Sequence, residues 1–310
     1  MGTAIADIWP IGAIHDVADA ILYTLVYADL FDYPLRPEEI HRYLTGYPAP
    51  LAVVQEHLHQ DSRLGEHLGS ASPFWFLAGR EYLVGLRRER EAFSLVLWEK
   101  AERYGRLIAA IPFVRMVSIT GSLAMNNVSS PHDDIDLLIV AAKNRVWLAR
   151  GLTILIVHLA RRFGVELCPN YVIAKHRLEL GEPDLFTAHE MAQLIPVYGL
   201  DVYYRLLESN AWLTGFLPNT SPRQARVREA RLAVRTGQRV LEAALNGRLG
   251  DAVERRERER KIPRLRQIAR ERGGTGAIYT PELCKGHADD HAASVYRRYV
   301  ARLAAQGVQP

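Results

Sequence analysis

The chain has 310 residues, of which 48% are apolar and 24% charged, with 39 basic and 35 acidic side chains giving a net charge of +4. That balance is ordinary for a globular protein and excludes a collagenous, low-complexity or disordered chain. Two cysteines, Cys168 and Cys284, exclude a disulfide framework and belong to no C-x-x-C or closely spaced Cys/His zinc pattern, so a reducing cytoplasm is expected.

The length admits two domains and a third small module. The N-terminal stretch lacks a basic n-region, and Asp7, His15, Asp16 and Asp19 break its apolar run. The most apolar helical stretch, GLTILIVHLA at 151–160, is too short for a bilayer and is bounded by Arg150 and Arg161. No membrane partner is expected.

In chain order, helical spacing of Ile14, Val17, Ala18, Ile21, Leu22, Leu25 and Val26 predicts an amphipathic helix over 13–32, closed by Tyr33-Pro34. Short helices follow over RPEEIHRYL and LAVVQEHLHQ. SASPFWFLAGREYLV then predicts a small hairpin around a Gly79-Arg80 turn. Three helices and a hairpin over 1–85 describe a winged-helix-like module, which serves either for packing or for binding nucleic acid. LAVVQEHLHQ has no Arg or Lys, which tells against base reading by that helix.

A connecting helix is expected over 86–112, with Phe93, Leu95, Leu97 and Trp98 as its packing side. Residues 113–182 then alternate between strand and helix: VRMVSIT, a loop, DIDLLIV, a helix over 144–163, and VELCPNYVIA. This is a small mixed α/β core. Residues 183–310 read as mostly helical, with Trp212, Leu213, Phe216 and Leu217 as a core stripe. They include an Arg-rich arm from Pro222 to Gly273 that carries fifteen Arg and one Lys against seven acids. The class expected is α+β, a mixed-sheet core flanked by an N-terminal winged-helix-like module and a helical C-terminal region.

The chemistry concentrates in VSITGSLAMNNVSSPHDDIDLLIV at 117–140. Asp134 and Asp136, two apart on a strand, leave the same face, whereas Ile135 and Leu137 leave the other. Asp133 drops out by the same alternation and reads as a turn or capping acid. Two carboxylates on one face clamp a hard cation such as Mg²⁺, which keeps further positions for water and phosphate oxygens. Gly121 has no Cβ to hold a triphosphate away, and Ser122 offers a hydroxyl and an amide N–H.

Ile-Thr-Gly-Ser at 119–122, eleven residues, then Asp-Ile-Asp-Leu-Leu-Ile from Asp134 resembles the signature of the DNA polymerase β-like nucleotidyltransferase superfamily. The resemblance covers roughly 113–175. It implies transfer of a nucleoside monophosphate from an NTP to an acceptor on two divalent ions, Mg²⁺ or Mn²⁺. Asp134 and Asp136 would be metal ligands, and Gly121 and Ser122 the nucleotide-binding pair. A third carboxylate on a later strand, completing the metal site and assisting deprotonation of the acceptor, is also implied, and Glu166 in VELC is the candidate catalytic residue and metal ligand, with Asn170 on its face in support. The sequence departs from many relatives in having Asn126 and Asn127 where a Gly is common, and Asp133 where Ser is common.

Other groups carry less. His287, Asp290 and His291 have a spacing that suits a metal but suits a surface helix better. His132, Lys175 and Arg177 are candidate phosphate contacts, or simply solvated. The acceptor is an RNA such as a tRNA end, a protein or a small molecule, with the Arg-rich arm favouring RNA. The rival reading is a nucleic-acid-binding regulator that keeps a non-catalytic transferase-like domain.

Overall fold

A computed structural model describes residues 14–181, 183–226, 232–272, 276–286 and 291–308. The first helix, α1 (Val17–Asp29), starts where the Asp16 carboxylate accepts from Asp19 N at 2.9 Å. It is followed by α2 (Pro37–Arg42), α3 (Leu51–Gln60), α4 (Ser62–His67) and an antiparallel hairpin of β1 (Leu68–Ala71) and β2 (Phe74–Leu77). The hairpin turns at Ser72-Pro73 and not at Gly79-Arg80. Pro73 has no N–H to give a ladder, so the chain reverses there, and Gly79 takes a positive φ in the exit loop.

The long connecting helix is α5 (Leu83–Ala109). Leu97 and Trp98 are buried as expected from sequence, but Leu95 is exposed and Ser94 takes the inward position. After it come β3 (Val114–Ile119), the single turn α6 (Gly121–Ala124), β4 (Ile135–Ala141), α7 (Val146–Arg161) and β5 (Leu167–Ala174). The remainder holds α8 (Leu185–Gln193), β6 (Ile195–Tyr198), α9 (Leu200–Ser209), α10 (Leu213–Phe216), α11 (Leu232–Leu245), α12 (Arg248–Glu271), β7 (Ile278–Tyr279), β8 (Leu283–Lys285) and α13 (His291–Ala305).

The chain is therefore α+β, with one six-stranded mixed sheet in the order β6-β3-β4-β5-β8-β7. Only β4 and β5 run parallel, joined by α7 as the crossover; the other neighbours are antiparallel. Sequence reading expects 183–310 to be mostly helical and names no strand there, yet β6, β7 and β8 lie in it and extend the sheet on both sides. These strands are two to four residues long, too short for a period-two pattern to stand out.

Alternation along the strands divides the sheet between two cores. Ile135, Leu137 and Ile139 of β4 face a cluster with α5 and α7, while Leu138 and Val140 face a second cluster. That second cluster takes in α1, α8, α9 and α13, so the first and last helices share one core with the sheet. Tyr299 of α13 donates to Tyr23 O at 3.1 Å, and buried Asp29 of α1 meets Arg80 at 3.0 Å and Arg302 at 2.8 Å.

Parts of the Arg-rich arm are docked in the same way. The buried Glu254 carboxylate of α12 accepts from Trp147 N at 3.0 Å and Leu148 N at 2.6 Å, satisfying the open first turn of α7. Glu242 of α11 takes both Arg115 and the Phe113 amide. Among the described residues no helix is long and apolar enough to cross a membrane.

Candidate active site

Asp134 ends the loop before β4 and Asp136 is its second residue, on the face shared with Leu138 and Val140. Asp133 is the turn acid that alternation suggests: its carboxylate accepts from Ser129 N at 2.9 Å and Ser129 Oγ at 3.1 Å, and from Asp134 N at 3.2 Å. Gly121 lies across from the pair. It has φ +65°, and a Cβ built on it would stand 2.5 Å from Asp136 Oδ2. Glycine is thus required by both the backbone angle and the neighbouring carboxylate. Asn126 likewise takes a positive φ, 53°, and its Oδ1 accepts from Trp98 Nε1 at 2.7 Å.

The β4/β5 register brings the next strand's groups to the pair. Cys168 is opposite Asp136, and the ligand atoms of Asp134, Asp136 and Cys168 lie within 4.8 Å of one another. Asn170 Nδ2 donates to Asp136 Oδ1. Between Cys168 and Tyr171 β5 carries one residue more than β4, at the point where Pro169 cannot donate to the ladder.

Glu166 is not brought to the pair. Its backbone lies beside Asp134 in the β4/β5 register, but its exposed carboxylate takes Arg161 Nε and Nη2 at 2.9–3.1 Å instead of joining the cluster. The bulge also separates it from Asn170, which simple alternation places on the same face. Cys168 shares Glu166's parity, so the sequence held a signal for it.

Glu190 is an acid that sequence reasoning passed over. It comes from α8 and accepts from Thr120 Oγ1 at 3.0 Å. A cavity of about 380 Å³ is lined by Gly121, Asp136, Asn170, Glu190 and Lys285, closed on one side by the start of α13. Lys285 therefore shares a cavity with the acids, as does His291 at the start of α13. Lys175 and Arg177 follow the far end of β5, where Arg177 pairs with Glu282 at 3.2 Å. His132 is exposed. His287 and Asp290 lie outside the described residues.

The acids are electrostatically crowded. Burial first, then the Asp134, Glu190 and Asp133 charges, push the Asp136 carboxyl up to about 8 against the hydrogen bond from Asn170. Burial also raises Glu190, offset by the Thr120 hydroxyl and by Lys285. Burial and then the bond to Asp134 push the Cys168 thiol up to about 12, so it is a neutral thiol at pH 7. Two hard carboxylates that repel each other fit a divalent cation such as Mg²⁺ or Mn²⁺; the protonated thiol beside them is a poor ligand for either.

No family model, no curated protein and no solved structure matches this chain.

Proposed function

We propose that the chain is a divalent-cation-dependent nucleotidyltransferase that moves a nucleoside monophosphate from an NTP to an acceptor, with pyrophosphate leaving. The observation that supports this best is the close approach of Gly121 to Asp136, which sets a side-chain-free backbone against a cation-binding carboxylate. Asp134 and Asp136 would hold Mg²⁺ or Mn²⁺, and Gly121 and Ser122 would seat the triphosphate. A cation held there stabilises charge on the reacting phosphate and the leaving pyrophosphate. Lys285 adds positive charge to the same cavity. Glu190, beside Asp136 and held by the Thr120 hydroxyl, would take the acceptor's proton, the role that the resemblance implies for Glu166.

The N-terminal helices and hairpin suit a winged-helix-like module, here packed as a wall of the catalytic unit. The acceptor is an RNA end, a protein or a small molecule; the basic surface of α12 favours RNA. Two free cysteines suit the cytoplasm. A second reading, a nucleic-acid-binding regulator with a silent transferase-like domain, is favoured by one observation: Cys168 and Asn170, not a carboxylate, meet the pair from β5.

Incubation with labelled NTPs, Mg²⁺ and cell extract separates the two. Labelling of one species by the wild type, lost in the Asp134→Ala/Asp136→Ala double variant, supports the transferase. No NTP turnover, with nucleic-acid binding unchanged in the double variant, supports the regulator.

A further inference from the structure

A second cavity, of about 210 Å³, lies on the other side of Gly121 and Glu190, which line both chambers. An apolar cavity of roughly 150 Å³ already admits a benzene ring, so this one has room for a larger flat ring. Its walls come from α1, α6 and α8, with Tyr27, Phe31, Tyr43 and Met125 among them, and Ser122 at the end nearest the acids. One wall residue is out of character. His189 is 4% exposed, stacks on Tyr27 with ring centroids 3.9 Å apart and planes at 9°, and lies 5.6 Å from the Tyr43 ring. Neither of its ring nitrogens has a hydrogen-bond partner among the described residues.

A buried donor and a buried acceptor without partners are costly, and a Phe there would stack equally well. An aliphatic occupant would leave both nitrogens unpaired, and a charged one would lose its hydration against the aromatic walls. A nucleobase is flat, uncharged, stacks on aromatic faces, and carries donors and acceptors on its edges.

We propose that this aromatic chamber binds the base of the nucleotide whose phosphates reach Gly121 and Ser122, with His189 as the group that reads the base edge. The inference rests on the transferase reading for the placement of the phosphates. It gives the N-terminal helices a role as a substrate wall, since Tyr27 and Phe31 of the α1 segment form part of the chamber.

The test is thermal-shift titration of the full chain with adenosine, guanosine, cytidine and uridine, each without phosphate and without divalent cation. At least one nucleoside is expected to raise the Tm of the wild type and of Asp136→Asn alike. Its apparent affinity should fall at least tenfold in His189→Phe. Ala28→Met, which fills the chamber and leaves His189 in place, should also lose the response. The proposal is overturned if no nucleoside shifts the wild-type Tm, or if the shift survives both substitutions. NTP turnover without a nucleoside response would sink the chamber and leave the transferase standing. A nucleoside response without NTP turnover would do the reverse.

Discussion

A Cβ on Gly121 would lie 2.5 Å from Asp136 Oδ2, so the residue that opens α6 is bare because the carboxylate occupies its side-chain space. Gly121→Ala therefore meets two obstacles, a left-handed φ of +65° and a clash with Asp136. The backbone angle alone costs about 1–2 kcal/mol in a non-glycine residue. Moving Asp136 to relieve the clash displaces one of the two proposed cation ligands. The variant should lose roughly 2 kcal/mol of stability and most of the Mn²⁺-induced rise in Tm. An unchanged Mn²⁺ response would show that Gly121 and the cation site are independent.

Asp136→Asn should separate stability from function. Burial and the Asp134, Glu190 and Asp133 charges push its carboxyl up to about 8, so without a cation Asp136 must take up a proton on folding at neutral pH, whereas Asn needs none and keeps the shape that Asn170 bonds. Without divalent cations the variant is expected to be more stable than the wild type by about 1 kcal/mol, as active-site acids often permit. Nucleotide transfer should fall below detection. A variant less stable than the wild type in metal-free buffer would mean that Asp136 is a structural acid.

The Asp pair and the turn role of Asp133 were legible because each depends on neighbours within a few residues and on the period of two along a strand; Gly121 stood out as a place for phosphate to approach, but the clash with Asp136 of β4 that excludes a side chain there was not legible. The partners from β5 were not, because the register puts Cys168 opposite Asp136 and an extra residue at Pro169 breaks the alternation. Glu190 was invisible for another reason: tertiary packing of α8 delivers it, and nothing in its local sequence points at Asp136. β6, β7 and β8 were hidden by their shortness. These differences yield a paired prediction. Glu166→Gln, which only loosens an exposed contact with Arg161, should leave transfer within about twofold of wild type. Glu190→Gln should lower kcat by about a hundredfold if its carboxylate takes the acceptor's proton. The opposite ranking would return the third-acid role to Glu166.

Arg87 bears on the aromatic chamber through Tyr33. Its side chain is 1% exposed, bonds Glu39 at 2.8 Å, Glu91 at 2.9 Å and Pro34 O at 3.0 Å, and lies 3.8 Å from the Tyr33 ring centroid. Breaking a buried pair by removing one partner costs about 3–5 kcal/mol, but both acids keep some water, so Arg87→Met should cost roughly 2 kcal/mol. Glu39→Gln added to it should cost little more, since the acid has already lost its partner. Additive losses in urea melts would show that the pair does not act as a unit.

His189 gives the stability a pH dependence with a defined sign. Burial lowers its pKa from 6.5 to about 3, so the folded chain holds it neutral. Between those values the unfolded chain binds the proton and the folded chain does not. The contribution is fully present above pH 6.5 and is lost as the pH falls toward 3. At about pH 5 the loss is about 2 kcal/mol, from 1.36 kcal/mol per unit. Carboxylates titrate in the same range, so the informative quantity is the difference between wild type and His189→Phe measured by urea unfolding along the pH series. The Phe variant, with no buried nitrogens to leave unpaired, should be the more stable at neutral pH. Its advantage should widen by that amount on acidification to about pH 5. A gap that stays constant with pH would mean that His189 takes up a proton in the folded state, and that the chamber around it is open to water.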